Sequence, residues 1–199
     1  VGVNLSAVKN RAIKFSGDGP IQTGGFNSDQ IIRNEDGGLI SRFYGYVADG
    51  IFQNWSEVYA HTNEHGKLIQ DKAQPGDIRF KDLNHDGVLD ENDKTWIGNP
   101  YPDLMVGLNL GFNYKNFDFS FFVVGFHGFD IYNATKQIGF GLIGSQQVAG
   151  VTPMRDFLDR WTPTHTNTNV PGFTNGGTEN KDFFSTRFVE NGSFIKMKS

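Results

Sequence analysis

Hydrophobic and polar residues alternate most regularly between positions 104 and 123. Leu104, Val106, Leu108, Leu110, Phe112 and Tyr114 fall on one face of an extended chain, and Met105, Gly107, Asn109, Gly111 and Asn113 on the other. A period of two marks a strand with two unlike faces. Lys115-Asn116 follows, short enough for a tight hairpin turn. Beyond it Phe117, Phe119, Phe121 and Val123 share a face, with Asp118 and Ser120 opposite. Each limb is about 11 residues, the length of a tilted membrane-crossing strand, whereas soluble strands average about 5 or 6. Tyr114 and Phe117 flank the turn, where an outer-membrane barrel carries a girdle of interfacial aromatics. A hairpin of a soluble β-sandwich alternates as well. The pattern leaves both readings open, and strand length favours the membrane.

Residues 1–9 also alternate, Val1, Val3, Leu5 and Ala7 against Asn4 and Ser6, which predicts a first strand within 1–15. Another strand is expected over 188–199. The hairpin itself covers 104–127. Two long excursions, 16–103 and 128–187, separate these elements and are rich in Gly, Pro, Asn, Asp and Thr. Outer-membrane barrels have short periplasmic turns and long outer loops. With Lys115-Asn116 on the periplasmic side, strand 1–15 runs outward and 188–199 heads inward. Both excursions then lie outside the cell. No apolar run reaches the roughly 18 residues that a membrane helix needs. Arg155 to Trp161 reads as a short amphipathic helix, with Trp161 either packed or presented to a ligand or partner. The expected fold class is therefore all-β: about four antiparallel strands of a large transmembrane barrel, with two long extracellular loop regions.

Composition agrees. The 199 residues include 25 Gly and 19 Phe, yet only 37% are hydrophobic. Mean hydropathy is -0.42. Many aromatics and glycines on a polar average suit strands that are apolar on one face only. A net charge of -4 gives no basic surface for nucleic acid. The absence of cysteine excludes disulfides and thiolate metal sites. The chain begins Val1-Gly2-Val3 without a signal-peptide pattern and stops in an expected strand, so it reads as a stretch of something longer.

The sharpest chemical motif runs from Asp82 to Asp93, with the form D-x-N-x-D-G-x-x-D-x-x-D. It is close to the calcium loop of EF-hands. Side-chain oxygens would come from Asp82, Asn84, Asp86, Asp90 and Asp93, and a carbonyl from Val88, with Gly87 at the sharp turn. Hard oxygens at this spacing suit calcium in a structural role. Asp93 departs from the usual Glu, and a shorter carboxylate has less reach for bidentate binding. An Asp/Asn/Gly turn that binds no metal has the same composition. His61-Thr62-Asn63-Glu64-His65 matches the inverted zinc-peptidase motif. No third ligand stands out, and it reads instead as the end of a solvated surface helix stopping at Gly66. His85, His127 and His165 belong to no triad, and there is neither a nucleophile elbow nor a P-loop. No catalytic or organic-cofactor site is expected.

Several longer phrases carry a family resemblance. Phe43-Tyr44-Gly45-Tyr46-Val47-Ala48-Asp49-Gly50-Ile51-Phe52-Gln53 is followed by Pro75-Gly76-Asp77-Ile78-Arg79-Phe80-Lys81-Asp82 and Ile97-Gly98-Asn99-Pro100. Asp130-Ile131-Tyr132-Asn133, Arg160-Trp161-Thr162-Pro163 and Arg187-Phe188-Val189-Glu190-Asn191-Gly192-Ser193 complete the series. In this order and spread the chain resembles the later barrel of SusC/RagA-family TonB-dependent transporters. The resemblance implies a Bacteroidetes outer-membrane importer of glycans or peptides, with a 22-stranded barrel and a plug. It implies energy supplied through TonB, contacted by parts outside this chain, and a SusD-like surface lipoprotein as partner. Phe43, Tyr44, Tyr46, Phe52 and Trp55 are then candidates for stacking on sugars or packing at the lipoprotein. A soluble, calcium-stabilised carbohydrate-binding β-domain of adhesin or lectin type is the competing reading.

Overall fold

A computed structural model describes residues 1–15, 17, 19–25, 30–139, 154–172 and 184–198. In chain order the first elements are β1 (Gly2–Ser6), β2 (Ile21–Thr23), β3 (Ile32–Asn34), β4 (Arg42–Gly45), β5 (Ala48–Ile51), α1 (Trp55–Ala60) and β6 (Ile78–Phe80). They are followed by β7 (Thr95–Gly98), β8 (Leu104–Tyr114), β9 (Phe117–His127), β10 (Asp130–Tyr132), α2 (Ala134–Gly139), β11 (Val189–Asn191) and β12 (Phe194–Lys198). The pairings β1–β8, β8–β9, β9–β12, β10–β11, β2–β3, β3–β4 and β5–β6 are antiparallel. Among the described residues no helix is long and apolar enough to cross a membrane, which leaves open crossing by strands. The chain divides into one unit of Val1–Phe43, Gly98–Tyr132 and Val189–Ser199, and another of Tyr44–Ile97 and Asn133–Phe188.

In the first unit, β8 and β9 pair residue for residue from Leu104↔His127 to Tyr114↔Phe117. Lys115 turns the hairpin with a left-handed φ of 51°. Two-residue hairpin loops need positive φ to match strand twist. β1 joins the free edge of β8 and β12 that of β9, giving the order β1-β8-β9-β12. The first strand is shorter than its alternation predicts. After Ser6 the chain leaves the sheet, and the Asn10 and Arg11 side chains bond the turn at 37–40 instead.

The expected last strand is two strands. The β9–β12 ladder stops at Phe126↔Phe194 and pairing resumes as β10–β11 at Asp130↔Asn191. Gly128-Phe129 and Gly192-Ser193 form the interruption. Gly128 has a φ of 79° and donates its N–H to Ser193 Oγ (3.0 Å), while Gly192 N–H donates to the Phe129 carbonyl. A Cβ on Gly192 would lie 2.3 Å from the Phe129 ring. Only glycine permits that approach.

The second unit has an aromatic interior. Ile78 and Phe80 of β6 are fully buried and pack with Tyr46, Ala48 and Leu89. β5 pairs with β6 with a register shift between Ala48 and Ile51, a stretch in which Gly50 takes a φ of 104°. Gln70 lies inside, donating to the Ile78 carbonyl (3.1 Å) and accepting from Phe80 N–H (2.8 Å). A buried amide so satisfied carries little desolvation penalty. A second cluster joins Phe52, Val58 and Ala73. Asn54 caps α1, its side chain accepting Glu57 N–H (3.0 Å).

Gly76 shows how tightly this interior closes. Its φ is 93°, and a Cβ there would stand 2.6 Å from the Trp161 ring. Gly76→Ala is expected to destabilise the unit by about 1–3 kcal/mol. The readout is a lower urea midpoint of tryptophan fluorescence, and an unchanged midpoint would contradict the packing described.

Candidate functional site

Four-strand registry turns the alternation of the hairpin into two complete surfaces. Val3, Leu108, Val123 and Met197 lie side by side across the sheet, as do Leu5, Val106, Gly125 and Ile195. Val3, Leu5, Ile195 and Met197 are largely exposed. The same face continues to the turn through Phe112, Phe119, Tyr114 and Phe117. Phe112 and Phe119 rings lie 5.3 Å apart, and Lys115 Nζ sits 5.4 Å from the Tyr114 ring centre. The opposite face has rows Asn4-Gly107-Val124-Lys196 and Gly2-Asn109-Phe122-Lys198. Its small residues leave a concavity of about 460 Å³ over Asn4, Gly107 and Asn109, bordered by Phe122. One surface is apolar and aromatic at its turn end. The other is mixed and hollowed: Asn4, Asn109, Lys196 and Lys198 share it with Val124, Phe122 and the row Ser6-Met105-Phe126-Phe194, in which Phe126 and Phe194 stack at 5.2 Å.

The Asp82–Asp93 loop is folded by its own hydrogen bonds. Asp82 accepts from the backbone N–H of His85 (2.7 Å) and Gly87 (2.8 Å), and Asn84 Oδ1 from Asp86 N–H (3.0 Å). Asp86 accepts from Val88 N–H (2.9 Å), and Asp90 from Asn92 N–H (2.7 Å). Asp93 is fully buried, and its two oxygens accept from Leu83 N–H and Asp90 N–H, both at 2.8 Å. With Asp90 it forms a reciprocal capping box around the short 3-10 helix Glu91–Asp93. Gly87 has a φ of 80°, the conformation its place in the motif requires. Among the described residues no three His, Asp or Glu side chains stand close enough to one another to hold a metal ion.

The His61–His65 motif lies elsewhere than its pattern predicts. The helix ends at Ala60, and residues 61–68 form a turn closed by a Thr62↔Leu68 bridge. Asn63 drives it, accepting from both His65 and Lys67 N–H, while Gly66 takes a φ of 76°. An Asn side chain that satisfies two N–H groups competes with helix, which is why the expected helix does not reach Gly66. The His61 ring meets the edge of Phe52 at 5.4 Å, and Nε2 has no hydrogen-bond partner among the described residues. Burial first, then the charge of Arg79, holds this imidazole below its ordinary 6.5. As pH falls the unfolded segment therefore takes up a proton before the folded one does. Its contribution to stability is intact above pH 6.5 and is lost as pH drops through 6.5 toward the lowered value. Hydrogen exchange over residues 52–62, corrected for intrinsic rates, is expected to quicken between pH 7 and pH 5. His61→Gln should flatten that dependence, and an equally steep profile in the variant would refute it.

Of the candidate ligand-stacking aromatics, Phe43, Tyr46 and Phe52 are buried. Tyr44 packs edge-on against Trp96 at 5.2 Å. Trp55 alone is largely exposed, and it stacks on exposed Tyr59, one helical turn on, with centroids 5.7 Å apart. Tyr59 escaped the sequence reading. Its spacing of four from Trp55 was the available signal. Trp161 is a packing residue, lying over Gly76 and Gly172 and donating Nε1–H to the Gln53 carbonyl (3.3 Å). The segment before it is a 3-10 helix, Arg155–Asp159, with Leu158 facing out. Arg187 donates to the Asn169 carbonyl, and burial lowers its guanidinium to about 10, so it stays charged at neutral pH.

An antiparallel sheet built around two 11-residue strands, with one apolar face and one that mixes polar and apolar residues, joined through long excursions, defines a class: the wall of a large β-barrel. Known proteins carry the assignment further. TonB-dependent receptor P3 of Formosa agariphila is 30% identical over 201 residues, spanning 98% of this chain and 18% of that receptor. TonB-dependent receptor SusC of Bacteroides thetaiotaomicron is 28% identical over 183 residues, spanning 87% of this chain and 16% of SusC. In fold, the chain matches one from the RagAB peptide importer in its open-open state, with a TM-score of 0.63 at 17% identity. That match covers 98% of this chain and 19% of the other. No family model matches the chain. Sequence and fold together place it among the TonB-dependent receptors of the SusC/RagA kind. It spans less than a fifth of the length of these relatives, and barrel closure lies beyond it.

Proposed function

We propose that this chain is part of a TonB-dependent importer of glycans or peptides in the outer membrane of a Gram-negative bacterium. The observation that supports this best is the two-faced sheet, β1-β8-β9-β12. In this reading the row Val3-Leu108-Val123-Met197 meets lipid, and the aromatics around Lys115 sit at the periplasmic interface. The rows that carry Asn4, Asn109, Lys196 and Lys198 line the lumen. Excursions 16–103 and 128–187 reach outside the cell, toward substrate and a SusD-like surface lipoprotein. TonB acts through parts of the protein beyond this chain.

The test is fractionation of the source cells with an antibody against residues 16–103. An outer-membrane band several times 22.2 kDa, cut by protease added outside, supports importer and topology together. A soluble band near 22.2 kDa sinks both and favours a soluble carbohydrate-binding β-domain.

Calcium binding at the Asp82–Asp93 loop is a second part of the proposal. The donors fit a hard cation in kind, and each carboxylate oxygen that accepts one N–H keeps a second lone pair. Asp82, Asn84, Asp86, Asp90 and Asp93, with the Val88 carbonyl, would draw together on the ion and stiffen the first excursion. Terbium luminescence excited through tryptophan, displaced by calcium, is the expected signal, lost in Asp82→Ala/Asp86→Ala. Binding unchanged in that double variant would put the ion elsewhere.

A further inference from the structure

Residues 8–15, which follow β1, belong to no strand yet are held in place by the turn at 36–40. Ala12 is buried, donating its N–H to the Gly38 carbonyl and accepting from Gly37 N–H, both at 2.9 Å. Asn10 Oδ1 accepts from Ile40 N–H (3.0 Å), and Phe15 N–H donates to Asp36 (2.8 Å). Arg11 donates Nε–H to the Gly37 carbonyl (2.8 Å), which fixes where its charge stands. The side chains this segment leaves outside are of two kinds. Val8 is 54% exposed and Ile13 90%. Lys9, Arg11 and Lys14 are exposed among them. Lys9 and Lys14 make no ion pair or hydrogen bond with the described residues.

Charge singles this segment out. Residues 1–17 contain no Asp or Glu, so Lys9, Arg11 and Lys14 make the stretch positive in a chain whose net charge is -4. The carboxylates nearest in the fold are engaged: Glu35 pairs with Arg33 at 3.3 Å, and Asp36 accepts the Phe15 N–H. Cations interleaved with exposed apolar side chains fit a surface that offers both negative charge and hydrocarbon. A layer of phosphate-bearing lipid headgroups is such a surface. The height of the segment on the barrel wall agrees. β1 leaves the sheet at Ser6, opposite Met105. From Met105 to Tyr114, at the aromatic turn end of β8, the strand runs about 31 Å, or roughly 22–25 Å across a membrane at the usual tilt. The apolar band of such barrels is about 25 Å tall. With the aromatic turn at one interface, residues 8–15 emerge at the other, level with the headgroups.

We propose that residues 8–15 bind the membrane surface: Lys9, Arg11 and Lys14 take the phosphates of lipid headgroups in the outer leaflet, and Val8 and Ile13 enter the adjoining hydrocarbon. The site rests on the importer reading, which sets β1 in the outer membrane, and adds a lipid ligand to it. The hydrogen bonds to the turn at 36–40 hold the backbone that carries these cations, so lipid binding costs little ordering. Lipid bound here in turn steadies the start of the first excursion.

The experiment uses the intact receptor in detergent, with native mass spectrometry counting the lipid it retains. Anionic phosphatidylglycerol is compared with zwitterionic phosphatidylcholine, and the wild type is expected to bind the first at least about fivefold more tightly. Lys9→Gln/Lys14→Gln should weaken the tightest phosphatidylglycerol binding about 30-fold, through two lost headgroup contacts. Both lysines are exposed, so heat-shifted gel mobility should show the variant folded. Equal affinity for the two lipids, or phosphatidylglycerol binding that the double variant leaves unchanged, overturns the site while the importer reading stands. Inorganic phosphate that displaces the lipid at equal concentration overturns it too, by assigning the cations to a free anion. A nitroxide on Ile13→Cys, in the receptor in lipid nanodiscs with any other cysteine replaced, gives a second readout. Oxygen, which concentrates in hydrocarbon, should relax the label more than a water-soluble nickel chelate does. The opposite order, or protection from both, puts Ile13 in water or under another part of the receptor and overturns the proposal. Failure of the importer reading itself shows separately, in the fractionation.

Discussion

Phe80→Ala is expected to open the interior of the second unit, with a loss of about 3–5 kcal/mol. Phe80 is fully buried, its ring 5.6 Å from that of Tyr46, and it packs beside Ile78. Truncation removes most of the ring's contacts at once and leaves a cavity that β6 cannot close. β6 is tied to β5 at Ala48↔Phe80 and Ile51↔Ile78, and Gln70 bonds it from the other side. The neighbouring Ile78→Val, one methylene smaller, should cost about 0.5–1.5 kcal/mol. Hydrogen exchange over 44–52 and 78–89 measures both. Exchange in Phe80→Ala should rise by two or more orders of magnitude, and much less in Ile78→Val. Equal effects would mean that Phe80 does not fill the core as described.

Leu108→Arg carries the second large effect, about 2–4 kcal/mol against membrane assembly. Leu108 lies next to the midpoint of β8, on the face shared with Val3 and Val123. A charge there meets hydrocarbon if that face is the lipid face. Asn109→Arg, one residue on, points the same charge to the other surface, beside Gly2 and Phe122, where water solvates it. The folded fraction in the outer membrane, read by heat-shifted gel mobility, should fall sharply in Leu108→Arg and little in Asn109→Arg. The reverse outcome would exchange lipid and lumen, and equal tolerance would remove the membrane from the account.

The contrast between these two sites shows why some of this protein was legible in advance. The hairpin 104–127 was readable because strand geometry sends successive side chains to opposite faces, so burial demands are written directly as alternation. The pairing of Tyr114 with Phe117 followed from the brevity of Lys115-Asn116. The Asp82–Asp93 turn was readable because Asx side chains bond N–H groups two or three residues away, a purely local rule. Elsewhere local rules misled. The His61–His65 spacing suggested a helix, and Asn63 closed a turn instead. Asp93 was expected only as a ligand, yet its oxygens also seal the loop against Leu83 and Asp90.

By itself, then, the sequence determined the all-β class, the two faces of the long hairpin, the tight turn at Lys115 and the local form of the acidic loop. Each depends on residues a few positions apart. Only the tertiary structure decided that β12 completes the wall beside β9, with Gly128 and Gly192 breaking the ladder into two segments. It alone separated buried Phe43, Tyr46 and Phe52 from exposed Trp55, and seated Trp161 on Gly76 across 85 positions of sequence. The physical reason is common to all of these. Aromatic burial and glycine close-packing are set by which distant backbone comes to lie opposite, and an aromatic residue is written identically whether it fills a core or waits for a ligand.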